Sequence, residues 1–487
     1  MHETIDAQFR LRADKIAIVD SGNGATLTYG QLQERSVAQE LRMRQIGLAK
    51  GERVAILAAK SPDVIAAFVG ASRLGVIYVP LDVTASPKYW NMVLADLAIE
   101  HVLSDVTDLC EHLGDVQIHA LVPEIPRQLL GHNASVEPCS RSSDDGAYIL
   151  TTSGSTGRPK GVLLSHRNAL AFTEWASNEI ALGADDAVLS VAPFHFDLSV
   201  FDIYASLSRG ATLVLAPPTA TMFPGLLIDV LTDHKISILY TVPTLLQSLM
   251  DAGVFSQGQS FALRNIIYAG EPFPVPRLAA LMTALPDVAF YNFFGPTETN
   301  VSLAHRFTAV PDPDSEVPIG RPASGATITL LDDDRREVAP GEIGEIVVTG
   351  PTVMKGYLKA DGFEPACQPF DTGDFAVQGG DGAYYFRGRK DHQVKVRGNR
   401  IELASVENAL LRSGATTEVA LVIVENSLVA FVVSDTQLEE QALRAYCMDQ
   451  LPPAAVPHKF VPISVLPRLS NQKLDVLRLK ELASDHR

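Results

Sequence analysis

The chain has 487 residues, 46% of them apolar and 20% charged, with no low-complexity tract, so two or more folded domains are expected and extended disorder is excluded. A net charge of −17 makes nucleic acid a poor partner and requires any phosphate site to be locally basic or magnesium-bridged. Four scattered cysteines (Cys110, Cys139, Cys367, Cys447), an N-terminus without an apolar core and no membrane-length apolar run speak against a zinc site, a disulfide framework, a secretory leader and a spanning helix; a cytoplasmic protein is expected.

In chain order, "GERVAILAA" (51–59) reads as a strand. "SPDVIAAFVGASRLG" (61–75) opens on a Ser-Pro start signal and reads as a helix that stops at Gly75. "VIYVPLD" (76–82) is again a strand, and "HVLSD", "AYILTTSG", "AVLSVAP", "ATLVLAP", "SILYTVP" and "RNIIYAG" repeat the pattern. Strands of this kind, with helical spans between them, predict βαβ units around buried parallel strands. From about 317 the texture changes to short strands with Gly and Pro turns, which predict an antiparallel, barrel-like or sandwich piece. "HQVKVRGNRIELASVENALLRSG" then carries an amphipathic helix from about Ala404 to Arg412 with Gly414 as its stop, and "VALVIVENSLVAFVVS" reads as a hairpin. From Lys390 onward the charges balance at 12 Lys+Arg against 12 Asp+Glu, so the whole net charge lies before it and a small α+β domain is expected after it.

One stretch, "LTTSGSTGRPKG" (150–161), admits three readings: a linker, a kinase-type P-loop, or another phosphate-gripping loop. Its place between the apolar runs "AYIL" and "VLLSH" disfavours a linker, and a P-loop needs Gly directly before Lys, where this chain has Pro159 before Lys160. The third reading stands: Gly154 and Gly157 free the backbone to aim amides at an anion, Thr151, Thr152, Ser153, Ser155 and Thr156 add hydroxyls, and Lys160 adds charge.

At residues 152–161 the chain resembles the adenylate-forming enzymes: acyl-CoA synthetases, firefly-type luciferases and nonribosomal-peptide adenylation domains, whose phosphate loop reads T-S-G-[ST]-T-G-x-P-K-G. Further motifs of that family follow in order, among them "LTYGQL", "SRLGVIYVPLD", "FHFDLSVFDIY", "NFFGPTETNV", "GEIGEIVVTGPTVMKGYL", "DTGD", "GRKDHQVKVRGNRIE" and "LSNQKLD". The resemblance implies an α/β core over 1–388 with parallel-rich subdomains and a small barrel-like one, a hinge at 389–391 pivoting on Asp391, and a mobile α+β domain over 392–487. It implies ATP and Mg2+, with a carboxylate attacking the α-phosphorus and a thiol then attacking the acyl-adenylate.

By the same resemblance Lys473 is catalytic, Glu298 holds magnesium, Thr297 lies at the phosphate, Gly295 belongs to the ATP-binding set, Phe294 stacks on adenine, Asn292 reads its edge, and Asp374 with Arg389 holds the ribose. Two departures stand out: Asn471-Gln472-Lys473 where the family has Asn-Gly-Lys, and Asp371 where it has Arg before Thr-Gly-Asp. Asp197 occupies the place where amino-acid-activating members pair with the substrate ammonium; a helix cap before "LSVFDIY" is the competing reading. The implied side-chain pocket comprises Asp197, Leu198, Phe201, Tyr240, Ile267, Ala269, Phe293, Val301 and Ser302, with Lys473 at the carboxylate. It holds no second charge and resembles that of stand-alone prolyl-adenylating enzymes, so L-proline is the expected substrate and a separate phosphopantetheine-bearing carrier protein the expected partner. A D-alanine carrier ligase, an acyl-CoA synthetase and a non-catalytic adenylate-binding protein remain alternatives.

Overall fold

A computed structural model describes residues 1–106, 112–121, 138–140, 142–153, 158–221, 223–255, 261–389, 393–396, 399–434, 438–467 and 474–485. The helix Pro62–Leu74 shows how local sequence sets an element. The Ser61 hydroxyl accepts from the Val64 amide, Pro62 sits in the first turn where its missing N–H costs nothing, and Gly75 ends the helix at φ 80. Nearly every side chain of this helix is buried, because it lies in an apolar cluster shared by two large sheets.

Among the described residues, one sheet has eight strands in the order Gly362–Pro365, Gly356–Lys359, Pro159–Ser165, Gly146–Ser153, Ile77–Pro80, Arg53–Leu57, His101–Ser104, Gln117–Ala120. The other has nine: Arg321–Pro322, Leu303–Arg306, Ala289–Phe294, Asn265–Ala269, Ile238–Thr241, Ala187–Ser190, Thr212–Leu215, Ile16–Asp20, Thr26–Thr28. Their centres are parallel, as the continuous apolar runs predict: Asn265–Ala269 and Ile238–Thr241 are buried at every position and pair in register Ile267↔Tyr240. Antiparallel pairs stand toward one end of the eight-stranded sheet and at both edges of the nine-stranded one, where Thr26–Thr28 runs against Ile16–Asp20 and Leu303–Arg306 against Ala289–Phe294.

The antiparallel piece expected from about 317 is a four-stranded sheet, ordered Thr327–Leu331, Ile343–Thr349, Phe370–Gln378, Tyr384–Arg389. The "MKGYL" segment inside that stretch does not join it. Its strand Gly356–Lys359 crosses to pair with Pro159–Ser165, which sets Tyr357 beside the phosphate-loop hairpin.

Beyond residue 392 a hairpin of Gln393–Val396 and Asn399–Glu402 leads into the helix Leu403–Arg412, which ends before Gly414 at φ 72. Strands Glu418–Val424 and Ser427–Val433 are joined through Glu425 and Asn426 at φ 48 and 60, the two positive values a tight two-residue turn requires. Lys459–Pro462 adds a parallel third strand. One apolar cluster here includes Val396, Ile401, Val406, Leu410 and Leu443; the other includes Leu466, Leu479 and Ala483, with Leu474 against it. Since side chains alternate across a strand, these clusters cover opposite faces of the three-stranded sheet, as Leu421 and Val422 show by entering one each.

Candidate active site

The phosphate-loop sequence forms the turn of an antiparallel hairpin, in register Thr151↔Gly161, Thr152↔Lys160 and Ser153↔Pro159. Gly154, Ser155, Thr156 and Gly157 lie outside the described residues. Arg158, just beyond them, is tied down by Asp96, its Nε donating to Oδ2 at 2.9 Å. Thr151 and Thr152 line a cavity closed on its other sides by the ends of Ile238–Thr241, Asn265–Ala269 and Ala289–Phe294.

Asp197 lines this cavity. It stands at the N-terminal position of a short helix but makes no side-chain cap bond, so the capping reading fails. Its Oδ2 instead accepts from the Thr297 hydroxyl at 2.9 Å. Leu198, Tyr240, Ala269, Phe293 and Val301 line the same cavity. Phe201, Ile267 and Ser302 do not; they are wholly buried behind it. Phe201 packs edge-on to Tyr240 at 5.4 Å and Tyr240 edge-on to Phe293 at 5.8 Å, so the three rings form one wall. Burial, with Asp197 and Asp202 close by, raises the Tyr240 hydroxyl well above its ordinary pKa, so it enters as a neutral group.

The connection after Ala289–Phe294 brings the remaining predicted groups together. Gly295 lines the cavity in a place no other residue could take: a Cβ there would lie 1.7 Å from the Asn300 carbonyl oxygen. Glu298 is fully buried and accepts the Tyr357 hydroxyl at 2.6 Å. Tyr357 also carries Lys160, whose Nζ stands 4.5 Å from its ring centroid. Phe294 is half-buried against Phe386, and Asn292 is buried with its amide donating to the Pro318 carbonyl at 3.0 Å; neither side chain lines the cavity. The Thr297 hydroxyl donates to Asp197.

Asp374 and Arg389 are register partners on adjacent strands and form a buried ion pair; Arg389 also donates to the Thr372 carbonyl at 3.2 Å. They too lie outside the cavity lining. The departure at Asp371 has a plain outcome: it is half-exposed and pairs with Arg335 at 2.7 Å. Asp391 and Lys473 lie outside the described residues.

Several residues at the site escaped the sequence reading. Asp82 and His195 line the cavity with Asp82 Oδ2 at 3.9 Å from His195 Nε2; desolvation lowers the His195 pKa against the pull of Asp82, which favours a neutral ring. Both stood inside quoted motifs, "YVPLD" and "FHFD", but nothing in spacing alone joins residues 113 positions apart. Asn399 and Ile401 reach the cavity from the C-terminal hairpin, and Glu402 comes within 3.6 Å of Lys160.

Residues 5–358 match the family model described as AMP-binding enzyme, and 405–473 match the AMP-binding enzyme C-terminal domain. The chain belongs to the AMP-binding enzyme family. Within it, the chain is 38% identical to an L-proline--[L-prolyl-carrier protein] ligase of Pseudomonas fluorescens, covering 98% of this chain and 97% of that one. It is 35% identical to a Streptomyces coelicolor protein of the same description, over 93% of this chain and 91% of that one. Among solved structures it is similar to IdnL1 (TM-score 0.83, 29% identity, 96% of this chain and 99% of that one). A Vibrio cholerae adenylation domain, AlmE, solved with glycyl-adenosine-5'-phosphate, shares the fold at TM-score 0.83 and 24% identity, over 99% and 97% of the two chains. No described helix of this AMP-binding enzyme is long and apolar enough to cross a membrane.

Proposed function

We propose that this enzyme activates L-proline with ATP, releasing pyrophosphate and forming prolyl-AMP, and then passes the prolyl group to the phosphopantetheine thiol of a separate carrier protein. The observation that carries the amine requirement is Asp197, a carboxylate that lines the cavity together with the rings of Tyr240 and Phe293 and accepts a hydrogen bond from Thr297. Two prolyl-carrier ligases among the relatives, matched along nearly their whole length, support proline in particular.

In this reading the substrate ammonium pairs with Asp197, and the ring nests against Tyr240, Phe293 and Val301. Lys160 and the hydroxyl loop grip phosphates, Asp374 with Arg389 holds the ribose, and Phe294 with Asn292 frames the adenine. Lys473 stabilises charge gathered between carboxylate and phosphate as the carboxylate oxygen attacks phosphorus and pyrophosphate leaves. In the second step the thiol sulfur attacks the prolyl carbonyl and AMP departs. Magnesium would be held by Glu298, a buried carboxylate that accepts from Tyr357 beside Lys160, since this ion is characteristically held by one or two carboxylates plus substrate phosphates. When bound it neutralises phosphate charge.

The test is ATP–pyrophosphate exchange with L-Pro, D-Ala, L-Ala, L-Val and cyclopentanecarboxylate. L-Pro should be best. The carbocyclic acid should be poorer by roughly a few hundred-fold, because it leaves Asp197 without a cation. Preference for another amino acid sinks proline and keeps the amine argument; good activity on the carbocycle sinks both.

A further inference from the structure

Two residues of the helix His166–Glu179 pack on the ring wall of the cavity without reaching the cavity itself. Phe172 and Trp175 lie three positions apart and so share one face of this helix. Phe172 is wholly buried, its ring centre 6.4 Å from that of Phe201. Trp175 is half-buried, 5.1 Å from Phe293. Phe293 lines the cavity and Trp175 does not. The same Phe293 ring meets Tyr240 edge-on at 5.8 Å and Tyr291 edge-on at 6.2 Å. The start of the helix is fixed as well. Ser165 and Asn168 form a capping box, and Asn168 Nδ2 donates to the Pro351 and Val353 carbonyls at 2.7 and 2.8 Å. The amide of Met354, next along the chain, donates to the Glu298 carbonyl at 2.8 Å. The helix is therefore anchored to the connection that carries Glu298.

We propose that Trp175 is a specificity-determining residue: it holds Phe293 against the cavity and so limits the bound side chain to a five-membered ring. Packed interiors leave few voids, and a ring in contact with Trp175, Tyr240 and Tyr291 has little space to retreat into. Shortening Trp175 opens that space, and whatever volume Phe293 takes up behind it is gained by the cavity in front. Phe172 acts one layer further away, because Phe201 does not line the cavity and touches it only through Tyr240. Amine selection is separate: the Asp197–Thr297 bond joins two other segments and involves neither ring of the helix. The proposal rests on the proline reading for the identity of the substrate.

The experiment measures ATP–pyrophosphate exchange with L-proline and with L-pipecolate, its homologue with one more methylene in the ring. The full-length chain is compared as wild type, Trp175→Leu, Trp175→Phe and Phe172→Leu. Trp175→Leu should raise the kcat/KM of L-pipecolate relative to L-proline on the order of ten-fold, the discrimination that one methylene carries in an apolar pocket. For L-proline the loss should fall on KM with kcat little changed, since the ring contact is made equally before and during reaction. Trp175→Phe removes less volume and should move the ratio the same way by a smaller factor, and Phe172→Leu should move it least. The carbocyclic acid should stay as poor a substrate as for wild type in all three. An unmoved ratio in Trp175→Leu overturns the proposal, as does an equal fall for both acids or a larger shift from Phe172→Leu. If Trp175→Leu does not fold, Trp175→Phe decides, and an unmoved ratio there overturns the proposal too. If the wild type prefers another amino acid, the proline reading alone falls, and the ratio is taken with that amino acid and its homologue one methylene longer.

Discussion

In the proposed reaction Asp197 and Lys473 divide the chemistry at the residue scale: one selects the amine, the other serves the reacting carboxylate. Asp197 turns its oxygen to Thr297 rather than to the helix it precedes, so the structure leaves it on the cavity and not in a cap. Asp371, the residue that breaks the family pattern, spends its charge on Arg335 at the surface. A mutation there should matter little to catalysis, since an exposed pair contributes little. Lys473→Ala is expected to cut pyrophosphate exchange by several orders of magnitude while nucleotide affinity changes only a few-fold, because the lysine is needed where charge develops and not where ATP is held. Exchange rates set beside nucleotide Kd check this; near-normal exchange removes Lys473 from the mechanism.

Two elements near the cavity make stability predictions. In the connection after Ala289–Phe294, Gly295→Ala would drive a methyl group into the Asn300 carbonyl, and a backbone atom cannot step aside as a side-chain tip can. A loss of more than ~2 kcal/mol and a collapse of exchange are expected; an unchanged melting temperature would contradict the packing. The second element is the wide helical turn Phe201–Ala205, which carries Phe201 in the ring wall. Next to it Asp202 is fully buried, and burial raises its pKa to about 7 despite the attraction of Lys60. The unfolded value is about 4, so between these pH values the folded chain holds a proton the unfolded chain has lost. This contribution to stability is full below about pH 4 and declines as pH rises toward 7. Asp202→Asn cannot titrate. The wild-type melting temperature should therefore fall relative to that of Asp202→Asn across this window; parallel curves would refute the assignment.

At the scale of the whole molecule, the proposed reaction assigns its two steps to two faces of the C-terminal part. The hairpin carrying Ile401 reaches the cavity, whereas Leu474, the residue after Lys473, packs on the opposite face of the three-stranded sheet. A turn about Asp391 would exchange the faces. Asp391→Pro fixes φ and removes a donor at that pivot, so one half-reaction should slow far more than the other. Measuring exchange and carrier loading in the same preparation decides it: equal effects in a folded mutant place the pivot elsewhere.

By itself the sequence determined what depends on near neighbours. Strand and helix positions followed from apolar period and punctuation, as at Ser61, Pro62 and Gly75, and the phosphate-loop motif, Asp197 and Glu298 could be singled out as candidates because each sits in a short motif. Only the tertiary structure decided the contacts between distant segments. The strand Gly356–Lys359 left the antiparallel piece for the eight-stranded sheet and so put Tyr357 on both Glu298 and Lys160. His195 met Asp82, Phe201 and Ile267 fell behind the cavity rather than on it, and Glu402 found Lys160 across 242 positions of chain. Pairings of this kind are set by sheet register and by how one domain lies on another, and neither leaves a period or a spacing in the sequence.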